Sequence, residues 1–145
     1  MKKEELIKEG CMVPDTLQEA MRLGRQEMVE GDGETLREYL YRLLEENGRD
    51  NTYFDFYYGP LSREEQKKAE TALSQEETAY LHGLTLPVNR EDVYFRYEER
   101  LFSIAVTLSV TEMLFSTFYF PVLCKTVWSN YQGSFLLFSY ETGKE

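Results

Sequence analysis

Apolar residues recur at three- and four-residue spacing near the start of the chain. Leu17, Ala20, Met21, Gly24 and Met28 would share one face of a helix, with Thr16 and Glu19 as a capping box at its start. Gly31-Asp32-Gly33 interrupts the pattern, and a second helix is predicted over 34–46. Leu36, Leu40, Leu43 and Leu44 form its inner stripe, and Gly48 stands near its C-cap. Over 52–58 the period changes to two: Phe54, Phe56 and Tyr58 fall on one face and Tyr53, Asp55 and Tyr57 on the other, which predicts a strand ended by Gly59-Pro60. Two further capping boxes, Ser62 to Glu65 and Ser74 to Glu77, open short helices over 63–72 and 75–82. Their outer faces are Glu, Gln and Lys, so they are expected to lie over the core as a thin lid.

From Asp92 the chain becomes apolar, aromatic and β-branched. Residues 92–100 carry the alternation Val93, Phe95, Tyr97 and are read as a strand. Asn89 capping a helix through Val93, Tyr97 and Leu101 is the competing reading. In 102–111, large apolar residues (Phe102, Ile104, Val106, Leu108, Val110) alternate strictly with small ones (Ser103, Ala105, Thr107, Ser109, Thr111), which predicts a strand. Another strand is expected over 113–120, with Glu112 in the turn before it and Pro121 at its end. The runs TVWS and SFLLFSY flank Asn130-Tyr131-Gln132-Gly133 as a hairpin with a four-residue loop. The predicted fold is therefore α+β in one domain over 1–145. The N-terminal helices pack on one face of a mainly antiparallel sheet built from the 52–58 strand and a meander over 92–140, with about the first ten and last five residues frayed.

Charge and composition narrow the function. The formal net charge is −10, from 16 Lys and Arg against 26 Asp and Glu, with no clustered basic stripe, so a nucleic-acid partner is not expected. The twelve Leu, Ile, Phe and Val residues between 101 and 124 offer roughly −4 to −7 kcal/mol toward membrane insertion. Glu112 opposes it at about 3 kcal/mol, together with six Ser and Thr residues and Pro121, so no membrane span is expected. The start, MKKEELIKEG, lacks the apolar core of a secretory signal. A soluble cytoplasmic protein with reduced Cys11 and Cys124 is the expectation.

Candidate chemistry is sparse. His82, the one histidine, ends a predicted helix, where the dipole favours an imidazolium; general acid–base work is the alternative. Cys124 closes an apolar run as a small hydrophobe or as a nucleophile paired with His82, and Cys11 falls in the N-terminal region expected to be loose. Glu112 is a lone carboxylate in apolar sequence, either a turn residue facing water or a buried acid. Asp50 to Asp55 lacks the ligands and glycine of a calcium loop, and Gly31-Asp32-Gly33-Glu34 lacks the lysine and hydroxyl of a phosphate loop, so no metal or cofactor is expected. The amphipathic aromatics carry the strongest functional signal. Trp128, Tyr131, Tyr57 and Tyr58 are the candidate binding residues, with Tyr94 and Tyr97 beside them. They point to a non-catalytic module that binds a protein or peptide, or a second copy of itself. The alternative is a small enzyme or ligand-binding protein with a pocket near His82, between sheet and lid.

Overall fold

The computed structural model describes residues 1–141. The chain runs α1 (Lys3–Lys8), α2 (Leu17–Leu23), β1 (Arg25–Glu30), α3 (Gly33–Asn47), a 3-10 turn (Arg49–Asn51) and β2 (Tyr53–Asp55). It continues through α4 (Arg63–Glu70), α5 (Gln75–His82), β3 (Tyr94–Arg96), α6 (Glu99–Val110), β4 (Thr117–Phe120), β5 (Lys125–Ser129) and β6 (Ser134–Ser139). The strands form one antiparallel sheet in the order β1-β6-β5-β4-β2-β3. The fold is α+β; of the meander expected over 92–140, only β4, β5 and β6 are consecutive neighbours, and β3 lies beyond β2 at the sheet edge.

One sheet face holds the main core. Phe54, Phe118, Phe120, Val127, Phe135 and Leu137 meet the Leu36, Leu40, Leu43 and Leu44 stripe of α3 and the buried side of α6. Phe102 sits at its centre, with the rings of Tyr41, Phe54, Tyr97 and Phe118 at centroid distances of 5.4, 5.6, 5.2 and 5.4 Å. Each such buried side chain contributes about 1.5–3 kcal/mol. Helices α4 and α5 cover the same side, burying Ala69 and Leu81, and both carry the capping boxes expected at Ser62 and Ser74.

Three expectations are corrected. The first is the 102–111 strand, which is helix α6, capped by the Glu98 carboxylate accepting from Leu101 N–H at 2.9 Å. Size alternates along this segment but exposure does not. Within 101–110 only Ser103, Thr107 and Val110 escape burial, and that spacing is helical. Neighbours such as Ile104 and Ala105, or Leu108 and Ser109, are both buried. The small residues let the helix lie close to its surroundings rather than marking a wet face. The second correction is the 17–28 helix, which stops at Leu23; residues 25–30 are the edge strand β1, in register with β6 from Arg25↔Ser139 to Glu30↔Ser134. Gly24 marks the change, because a Cβ there would lie 2.7 Å from the Ser139 carbonyl oxygen. The other expected strands shorten: 52–58 to 53–55 and 113–120 to 117–120, while 94–96 is a strand and 99–100 already belong to α6.

The third correction concerns the N-terminus. Of the N-terminal helices, only α3 packs on the main-core face. Helices α1 and α2 cover the opposite face, where Leu6 and Cys11 meet Tyr53 and Tyr119, and Met12 and Ala20 meet Leu136 and Phe138. The first ten residues are tied down, with Leu6 fully buried and the terminal amine donating to the Tyr94 carbonyl at 2.9 Å. Of the tail expected to fray, residues 142–145 lie outside the described residues. Among the described residues no helix is long and apolar enough to cross a membrane.

Candidate functional site

The alternation of Tyr53, Phe54, Asp55 and Phe56 sends Phe54 and Phe56 into the main core and turns Asp55 to the α1/α2 face with Tyr53. Asp55 pairs with Tyr94 in β3, and Thr117 in β4 pairs with Trp128 in β5. Thr117 N–H donates to Asp55 Oδ1 at 2.8 Å, so Tyr94, Asp55, Thr117 and Trp128 form a row across four strands. With Tyr57, Tyr119 and Ser116, and Val13 and Pro14 at the rim, they enclose a recess of about 290 Å³.

Asp55 is 5% exposed. Its Oδ2 has one protein donor, Tyr119 O–H, at 3.5 Å, a weak contact. Burial pushes the Asp55 carboxyl up to about 7, against the opposing pull of the Thr117 and Tyr119 hydrogen bonds. Burial likewise raises the phenols of Tyr57, Tyr94 and Tyr119, which stay neutral at physiological pH. Ser116 Oγ is buried with no hydrogen-bond partner. At the edge, Phe115 meets Tyr131 edge-on at 4.7 Å, and Arg90 lies over the Tyr57 ring at 4.9 Å.

The aromatic candidates divide. Trp128 and Tyr57 line the recess, and Tyr131, 62% exposed, stands beside it on Phe115. Tyr58 does not belong. It is buried on the main-core side with Phe54 and Phe56, stacked on Phe56 at 6.0 Å, as the alternation that sets it opposite Tyr57 requires. Its hydroxyl donates to Glu70 Oε2, which also bonds His82 Nε2 at 2.8 Å. Burial pushes the Glu70 carboxyl up, but the hydrogen bonds from Tyr58 and His82 outweigh it and hold it below the usual range. This Tyr58–Glu70–His82 chain borders a groove of about 470 Å³ lined entirely by residues 67–82, so it lies along α4 and α5 and not between sheet and lid.

The remaining candidates have structural settings. Glu112 is exposed in a turn at φ 63°, and its carboxylate accepts from the N–H groups of Gln132 and Gly133 at 2.8 and 3.3 Å, bracing the β5–β6 loop. Cys124 is half-buried in the β4–β5 turn and takes no part in the His82 groove. Cys11 is buried, and burial pushes its thiol up to about 12, so it is an unreactive packing residue. Both cysteines are free. Asp55, Ser116, Tyr119 and Glu70 escape the sequence reading. For Asp55 the signal was present: a lone carboxylate in an aromatic run, in phase with Tyr53 and Tyr57. Comparison with family models, with curated proteins and with solved structures finds no match.

Proposed function

We propose that the chain is a non-catalytic recognition domain that binds a protein or peptide through the aromatic recess on the α1/α2 face of its sheet. The observation that carries this reading is the convergence of Trp128, Tyr57, Tyr94 and Tyr119 on one concave site, with Tyr131 and Phe115 at its edge. Tyr and Trp offer large, rigid contact area at low entropic cost, and concave aromatic sites are where binding energy concentrates. Phenols held neutral supply no nucleophile in the recess, which favours binding over covalent chemistry. Two free cysteines suit a cytoplasmic setting.

A peptide array probed with wild type and with Tyr131→Ala and Tyr57→Ala tests the reading, with light scattering on the same samples. The expected result is a set of related peptides retained by wild type and lost by both variants. A concentration-dependent dimer broken by the same substitutions would identify the partner as a second copy. A monomer that retains no peptide would overturn the proposal.

A second reading rests on Glu70, which bridges Tyr58 and His82 beside the α4–α5 groove. A carboxylate held between a phenol and an imidazole can serve general acid–base chemistry, and the His82 side chain is 45% exposed. Chemical-shift mapping with a small-molecule panel tests it. Shifts confined to His82, Thr78 and Lys67 support it, and an unresponsive groove removes it.

A further inference from the structure

We infer that the recess holds an ammonium group, as carried by a lysine side chain or a free alkylamine, with Asp55 as counter-ion and Tyr57, Tyr94, Tyr119 and Trp128 as the surrounding walls. The inference rests on the proposed recognition role of the recess and names the chemistry that would enter it.

Three observations converge. The lining contains two carboxylates, Asp55 and Asp15, and no Lys, Arg or His. It also contains the aromatic residues Tyr57, Tyr94, Phe115, Tyr119 and Trp128, and the face of an aromatic ring attracts a cation. Asp55 Oδ1 is occupied by Thr117 N–H, whereas Oδ2 has only the 3.5 Å contact to Tyr119. That second oxygen is free to accept a short charge-assisted bond. That acceptor needs an N–H donor, which selects a protonated amine over a quaternary one.

Size and charge agree with that occupant. A volume of about 290 Å³ is at the lower end for small-molecule sites, enough for an ammonium on an alkyl stem. The formal net charge of −10 attracts cations from a distance. The charged groups facing the rim are few: Asp15, held by Lys3 at 2.5 Å, and Arg90, which is engaged over the Tyr57 ring at 4.9 Å. The geometry also sets the proton balance. A carboxyl that titrates near neutrality is partly protonated in the empty recess. Pairing it with R–NH₃⁺ ionises it, and its proton leaves to solvent.

Trp128 is the only tryptophan, so its fluorescence reads the recess directly. The probes are Nα-acetyl-lysine methylamide, its norleucine counterpart without the terminal nitrogen, and n-butylammonium chloride. Saturable quenching by the lysine probe or n-butylammonium, absent with norleucine and at least about tenfold weaker in Asp55→Asn, is the expected result. The tighter of the two amines identifies the source as a partner's lysine or a free amine. Calorimetry in buffers of different ionisation enthalpy, on wild type near neutral pH, should register proton release. This readout keeps the inference open to failure should Asp55→Asn not fold. Norleucine binding as tightly as lysine would overturn the ammonium assignment while leaving the recess as a recognition site. The absence of binding by either amine would overturn the inference, and the peptide array then decides the recognition role separately.

Discussion

The substitution Asp55→Asn probes a buried carboxyl with little change of shape. An asparagine Oδ1 can still accept from Thr117 N–H, which now bonds Asp55 at 2.8 Å, and the amide nitrogen takes the place of Oδ2. The energetic change is in ionisation. The Asp55 carboxyl holds its proton up to about pH 7 in the folded chain, against 3.8 for its ordinary value. Above that ordinary value the unfolded chain binds fewer protons than the folded one, so stability falls as pH rises and levels off once the folded carboxyl has ionised. At about 1.4 kcal/mol per pKa unit, the loss between roughly pH 5 and pH 8 is on the order of 3 kcal/mol. Asparagine has no such loss. Carboxylates held below their usual range, Asp32, Glu65 and Glu98 among them, give the opposite trend at acid pH. They are common to both proteins, and distant effects cancel in the difference. Urea unfolding of both proteins across this range should therefore give a stability difference that moves in favour of the Asp55→Asn variant as pH rises, then becomes constant. A difference that does not vary with pH would refute the reasoning, because it would mean Asp55 ionises in the folded protein as freely as in water.

Two further outcomes follow from the packing. Phe102→Ala removes the ring at the centre of the main core and should cost about 3–5 kcal/mol by urea denaturation; a cost below about 1 kcal/mol would contradict the placement of α6 against the sheet. Glu112→Ala removes the acceptor for the Gln132 and Gly133 N–H groups, and should cost about 1 kcal/mol while accelerating amide exchange at those two positions.

Legibility in the sequence followed the kind of signal each segment carried. Helices α3, α4 and α5 could be read directly, α3 from its leucine spacing and α4 and α5 from their caps at Ser62 and Ser74, because these signals act locally. The β5–β6 hairpin was legible for the same reason: Gly133 turns the loop at φ +67°, a left-handed conformation that glycine adopts without steric cost. Helix α6 was misread because alternating side-chain size mimics alternating burial when a helix is covered on most sides. Strand β1 was misread because its state is set by pairing with β6, near the other end of the chain, and its own residues are mostly exposed. At the candidate site, the types of Trp128 and Tyr57 marked them for the proposed recognition role. Their companions Asp55, Ser116 and Tyr119 depend on strand order, which brings β2, β4 and β5 side by side, and no local pattern contains that order.

A carbon-13 NMR titration of the Asp55 carboxyl, with and without n-butylammonium, bears most directly on the recess and its occupant. The expected midpoint lies near neutrality and moves to lower pH when the amine is present. A midpoint in the ordinary aspartate range, unmoved by the amine, would contradict both the burial of the carboxyl and its proposed role as counter-ion.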